Sequence, residues 1–152
     1  MNVNNLRKTT SDDVKFIANN LRYADKNEIY ASSGNYLYYS RLIESYDLSN
    51  KCYTWTINGL PAMIVGICDD NKGGGIIWAM GTDEITKERK FFLKESVKII
   101  EEFKKDYEKI YNYVYSKNYL HIEWLKRVGF NVGGDVIELH NNEEFIYFEM
   151  EK

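Results

Sequence analysis

The chain is poor in the residues that cross-link, kink or metallate a fold: two cysteines, one proline and two histidines are spread over 152 residues. Cys52 and Cys68 fall in two strand-like runs joined by Asn58-Gly59, the strongest short signal for a two-residue hairpin turn. With that turn Ile57 faces Leu60 and Cys52 faces Val65. Cys68 then lies roughly 10 Å beyond its supposed partner at ~3.3 Å per residue, too far for a disulfide. Both thiols are expected to be reduced and half-buried. His121 and His140 belong to separate elements, and no Cys or His pair has ligand spacing, so no metal is expected. A basic excess is missing too: 20 Lys and Arg stand against 23 Asp and Glu, which removes the argument for nucleic acid or an anionic membrane as partner. No apolar run approaches the ~20 residues that span a bilayer. The opening "MNVNNLRKTTSDD" offers no hydrophobic stretch for a signal peptide, and the chain reads as soluble and intracellular.

What is present suits one ordinary folded unit. The composition is 44% hydrophobic and 28% charged, and a chain of this size buries roughly 68 to 70% of its unfolded surface on folding. With no repeat, low-complexity tract or linker, residues 1–152 read as a single domain. A short strand is expected at about Asn5 to Thr9. A helix from about Ser11 follows, since Thr10 and Asp13 form a capping pattern and Val14, Ile17, Ala18 and Leu21 recur at helical spacing. Two further helices are split by Gly34-Asn35. From Lys51 the period becomes strand-like: the hairpin, a loop "DDNKGGG", and "IIWAMGT", whose lack of alternation suggests cover on both faces. The longest helix is expected in "KERKFFLKESVKIIEEFKKDY", with Leu93, Val97, Ile100, Phe103 and Tyr107 as its buried stripe. "KIYNYVYS" is a strand, and "VIELH" and "EFIYFEME" form a closing antiparallel pair around Asn141-Asn142.

Between these last strands lies "NYLHIEWLKRVGF", a helix with its ends written into it. Asn118 stands at the N-cap, Ile122, Leu125 and Val128 form its stripe, Lys126 and Arg127 oppose the dipole, and Gly129 suits a left-handed position before Phe130. This element order, with Asn118, Gly129 and Phe130 at their interval, resembles the GNAT family of acyl-CoA-dependent N-acyltransferases. The segments "NNLRYADKNEIYASSG", "NGLPAMIVGI", "IIWAMGTD" and "YVYSKNYLHIEWLKRVGF" are similar to GNAT-like proteins of short-tailed bacteriophages, some of them associated with virion assembly. The resemblance implies an α/β (α+β) fold with a central mixed, mostly antiparallel sheet flanked by helices. It also implies acetyl-CoA as co-substrate, an amine acceptor, and a place in the host cytoplasm or with the virion proteins. Members pair the pantetheine arm with backbone at the end of the fourth strand, here Met80, Gly81 and Thr82, and keep the Asn matched by Asn118.

Two departures bear on activity. Members follow the fourth strand with Q/R-x-x-G-x-G/A, whose bare amides hold a pyrophosphate, whereas "TDEITKERKFFL" has no glycine after Gly81. Lys87, Arg89 and Lys90 could offset phosphate charge instead, although a solvated basic first turn explains them equally well. Many members also carry a Tyr seven residues after the Asn as an acid for the leaving thiolate, and that position is Leu125. For the base, if the first helix runs on, Asp25 and Glu28 fall four and seven residues after Leu21 on its apolar stripe, and a carboxylate drawn onto such a face is a candidate proton acceptor. The same two residues are spaced as a capping pair, a reading placed first for Asp25 and level for Glu28. His121 could reach the edge of a cleft, but the exposed or capping role comes first. The alternative to catalysis is a GNAT-shaped protein acting by binding in virion assembly.

Overall fold

Asn58 and Gly59 adopt φ of 52° and 81°, the left-handed pair of a primed hairpin turn. In the computed structural model, which describes residues 5–152, this turn joins β2 (Lys51–Ile57) to β3 (Leu60–Asp69). Residues 1–4 of the opening read above for a signal peptide lie outside the described residues. Ile57 pairs with Leu60 as expected, but Cys52 pairs with Gly66 rather than Val65, because a bulge between Trp55 and Thr56 slips the register by one. Cys68 pairs with Ile76 on the far side of β3, and both cysteines are free.

Strand β1 (Asn5–Lys8) pairs with β2, and β4 (Gly74–Gly81) with β3. Three helices separate β1 from β2: α1 (Ser11–Asn19), α2 (Tyr23–Ser33) and α3 (Tyr38–Leu48). Thr10 and Asp13 close a reciprocal capping box on α1, and Gly34 ends α2 in the left-handed conformation, φ 78°. After β4 come the single turn α4 (Glu84–Lys87) and the long α5 (Arg89–Lys104), then β5 (Lys109–Tyr115), α6 (Tyr119–Val128), β6 (Asn131–Glu138), a 3-10 turn at His140–Asn142 and β7 (Glu144–Glu151). The seven described strands form one sheet in the order β1-β2-β3-β4-β5-β7-β6, and its single parallel pair is β4 with β5. The expected mixed, mostly antiparallel architecture is the one found.

Helices cover both faces. Val14, Ile17, Leu21, Ile29 and Leu42 pack with Ile64 beneath α1 to α3. On the other face Trp55, Ile77, Phe92, Ile100, Phe103, Leu125 and Phe148 join α5 and α6 to the sheet. Strand β4 therefore sends Ile77 and Ala79 to one core and Trp78 and Met80 to the other, as its unbroken apolar run implies. The long helix differs from expectation, ending at Lys104 so that Tyr107 lies outside it. It breaks at Glu88 (φ −125°, ψ 46°), leaving α4 separate, and its buried stripe is Phe92, Ser96, Ile99, Ile100 and Phe103 while Val97 is 40% exposed. Ser96 hides that stripe from a hydropathy reading; it is buried because Trp124 Nε1 donates to its hydroxyl at 2.8 Å.

Candidate functional site between strands four and five

Strands β4 and β5 pair only over residues 74–76 and 109–111, and the two diverge beyond them. The first group in the opening is Asn112, which donates Nδ2 to the Ile77 carbonyl at 2.7 Å and accepts from the Tyr113 amide through Oδ1 at 2.8 Å. At the far end two carboxylates from α2 take over the role of a strand. Asp25 Oδ2 accepts from the Gly81 amide at 2.9 Å, and Glu28 Oε1 accepts from the Tyr115 amide at 3.0 Å. A gap between parallel strands leaves backbone donors without partners, and three side chains satisfy them here.

Asn118 ties the two carboxylates together. Its Nδ2 reaches Asp25 Oδ1 at 3.3 Å and Glu28 Oε1 at 3.4 Å, while its Oδ1 caps α6 through the His121 amide at 3.2 Å. Arg22 Nε donates to Asp25 Oδ2 at 3.0 Å. Arg22, Asp25, Glu28, Asn118 and His121 are all buried. Among the described residues Glu28 Oε2 makes no hydrogen bond of its own; His121 Nδ1 lies 3.7 Å from it, beyond hydrogen-bond distance, and that nitrogen is buried without a partner.

Members of this polar cluster line two cavities, Glu28 and His121 the first and Arg22 the second. One, of about 280 Å³, lies on the α2–α3 side and is lined by Glu28, Arg41, Trp78, Asn112, Tyr113 and His121 among others. The other, of about 360 Å³, lies between α5 and α6 and carries Arg22, Arg89, Lys90 and Arg127 with Phe92, Leu120, Trp124 and Glu123, which pairs with Arg127 at 2.8 Å. The N-cap position of α5, Glu88, makes no side-chain capping bond, so the first-turn amides beside this second cavity have no such side-chain partner.

The expected site residues therefore separate. Asp25, a sequence candidate for proton transfer, is fully buried with both oxygens bonded, and it lines neither cavity. Neither Asp25 nor Glu28 caps α2, whose N-cap is Arg22. Glu28 lines the first cavity. Arg89 and Lys90 line the second, but Lys87 does not; it pairs with Glu84 at 2.9 Å on the surface. Met80 faces the first cavity. The backbone of the next two residues is already engaged: Gly81 N with Asp25, Gly81 O with Arg22 N at 3.0 Å, and Thr82 N with Ala62 O at 2.9 Å. A Cβ on Gly81 would run into Ile85 and the Ala62 carbonyl, so packing explains this glycine without a ligand. Leu125, at the position of the family's Tyr, is wholly buried.

Three participants were missed from sequence. His121 is buried, against the exposed or capping role placed first above, and its signal was its place at 121, 125 and 128 on the buried stripe of α6. Asn112 was signalled only as one amide in a run of aromatic and aliphatic residues. Nothing in the sequence marked Arg22.

Solved structures share this architecture along almost the whole chain. They include smu.2055 from Streptococcus mutans UA159, with TM-score 0.71 and 12% identity, covering 97% of this chain and 98% of that one. AAC(6')-Ib in complex with ribostamycin and coenzyme A superposes with TM-score 0.71 and 15% identity over 98% of this chain and 93% of that one. An acetyltransferase of the GNAT family from Streptococcus pneumoniae gives 0.64 and 14% over 98% and 99%. The fold is thus the GNAT fold. No curated protein sequence matches the chain. In sequence, residues 51–134, more than half of the chain and running from β2 into β6, match the family described as "Bacteriophage T7, probable scaffold protein Gp13", and the chain belongs to that family.

Proposed function

We propose that the protein is a phage-encoded, acyl-CoA-dependent N-acetyltransferase that passes an acetyl group directly from acetyl-CoA to an amine. The observation that carries this reading is the pair of cavities on either side of the β4/β5 opening, one rich in cations beside a helix N-terminus and the other with Glu28 in its wall. Acetyl-CoA enters as co-substrate on the cationic side, its phosphates beside Arg89, Lys90, Arg127 and the amides opening α5. The pantetheine arm finds the Gly81 amide and carbonyl and the Thr82 amide already engaged within the chain. Ile77 and Gly81 turn backbone groups into the opening, and Ala79 between them shares their side of the strand. The amine approaches from the α2–α3 side, where the Glu28 carboxylate stands in the cavity wall as part of the basic group. Asn118 holds that carboxylate in place. With Leu125 at the Tyr position, the departing thiolate takes its proton from water. Calorimetric titration with acetyl-CoA and with free CoA tests the reading, followed by assay of thiol release with a panel of amines. Absence of binding to either rejects it.

Membership of the scaffold-protein family favours a second reading, in which the chain acts by binding virion proteins during assembly. Tyr23, Tyr36, Leu37 and Tyr39 project from α2, α3 and their connection with exposures of 77, 67, 61 and 44%, and offer an apolar contact area. Recovery of the chain in purified virions, together with no thioester turnover, would select this role.

A further inference from the structure

We infer that His121 is the group that touches the acceptor amine, with Glu28 behind it as the positioning residue; the inference deepens the acetyltransferase reading and rests on it. Glu28 Oε1 is consumed by the Tyr115 amide and Asn118, which leaves Oε2 facing His121 Nδ1 at 3.7 Å. That Nδ1 is sealed from solvent and has no other partner among the described residues, and a buried ring nitrogen facing a carboxylate is best satisfied as N–H donor to it. Nε2 is not sealed in the same way. It is left as the lone-pair nitrogen of a ring that lines the 280 Å³ cavity together with Asn112 and Tyr113. The α6 cap fixes the ring's origin, since Asn118 Oδ1 holds the His121 amide and Nδ2 holds the Glu28 carboxylate. A single asparagine therefore positions both members of the pair. A carboxylate beside Nδ1 with Nε2 left free is the arrangement by which a carboxylate orients a histidine base and stabilises the imidazolium it becomes.

The step balances without a further reactant. The amine nitrogen bonds to the thioester carbonyl carbon, one amine proton passes to Nε2, the carbon–sulfur bond breaks, and CoA leaves as the thiolate. A separation of 3.7 Å in the free protein is long, and catalytic contacts of this kind shorten when substrate is bound.

The chain has two histidines, so their ring nitrogens can be assigned by comparison with His140→Gln and followed by two-dimensional nitrogen–proton NMR on the intact protein. With the ring neutral, the expected result is the Nδ1–H tautomer for His121, lost or mixed in Glu28→Gln. A ring protonated on Nε2, or a tautomer indifferent to Glu28→Gln, overturns the inference whether or not the protein proves to be an enzyme. If acetyl transfer is measured, His121→Ala lowers kcat by roughly 100-fold or more, leaves the affinity for acetyl-CoA unchanged, and regains activity with added imidazole. Full activity in His121→Ala alongside its loss in Glu28→Gln would return the base to Glu28. Failure to bind acetyl-CoA rejects the acetyltransferase reading, while the tautomer still decides how Glu28 and His121 are paired.

Discussion

Asn112 donates its side-chain amide to the carbonyl of Ile77 at 2.7 Å at the point where β4 and β5 stop pairing. The bond crosses an opening that main-chain hydrogen bonds no longer bridge, and the same side chain accepts from Tyr113 N. Asn112→Leu keeps the size and removes both bonds. Leaving a partly buried carbonyl and amide unsatisfied should cost about 1–3 kcal/mol. Urea denaturation measures it, and an unchanged midpoint would show that water replaces the amide freely.

The Arg22–Asp25 pair should be the most sensitive spot in the opening. Asp25 is wholly buried and Arg22 nearly so, with Gly81 N and Asn118 as the remaining partners of the carboxylate. Removing one member of a buried pair strands the other charge, at about 3–5 kcal/mol. Asp25→Ala should therefore lower the melting temperature by on the order of 10 °C. In a double-mutant cycle, the Arg22→Ala/Asp25→Ala loss should fall well short of the two single losses added together.

Gly129 ends α6 with φ 115°, and its amide reaches the carbonyls of Leu125 and Lys126 while Phe130 N reaches Leu125. A Cβ is disfavoured there, and it would also meet Met150 Cε at 3.3 Å. Gly129→Ala should cost about 1 kcal/mol, read from thermal or chemical unfolding; full stability would mean that the cap relaxes to another conformation.

The acetyltransferase reading predicts which cations matter. Arg89, Lys90 and Arg127 line the second cavity, whereas Lys87 pairs with Glu84 outside it. Arg89→Ala/Lys90→Ala/Arg127→Ala should abolish most affinity for acetyl-CoA, and Lys87→Ala should change it by less than about twofold, the small effect usual for an exposed pair. Binding should also weaken with salt, because charge at this site is screened over a Debye length of ~10 Å at 0.1 M. Affinity indifferent to both would place the phosphates elsewhere.

Burial, partly offset by a bond involving Thr9, pushes the Cys52 thiol from 9.0 up to about 11. A raised value means that the folded state holds the proton more tightly than the unfolded chain. The corresponding stability is intact below about pH 9 and is lost as the pH rises through about 11. Cys52→Ala should flatten part of that alkaline decline. At neutral pH iodoacetamide should label Cys52 in the folded protein slowly, since the thiolate is the reactive form; fast labelling of Cys52 would show that its site opens.

The hairpin at Asn58-Gly59, the capping box of Thr10 and Asp13 and the full set of caps on α6 were legible because each depends on residues within a few positions of one another. The element order that carries the GNAT resemblance was legible for the same reason, since hydrophobic period and turn chemistry are local. Register was not: one bulge at Trp55/Thr56 moved Cys52 from Val65 to Gly66, and no local pattern announced it. The buried face of α5 was misread because Ser96 owes its burial to Trp124, a residue 28 positions away on another helix. Above all, sequence placed Asp25 and Glu28 on one stripe and set them apart only by a leaning toward capping for Asp25. The packing of α2 against the ends of β4 and β5 made Asp25 the partner of Arg22 and Gly81, and turned Glu28 toward Tyr115 and His121. The physical reason is distance along the chain: a helix, a cap or a turn is decided within a few residues. The Glu28 to Tyr115 and Asp25 to Asn118 bonds join positions 87 and 93 apart, and only the closed fold brings those donors and acceptors to one place.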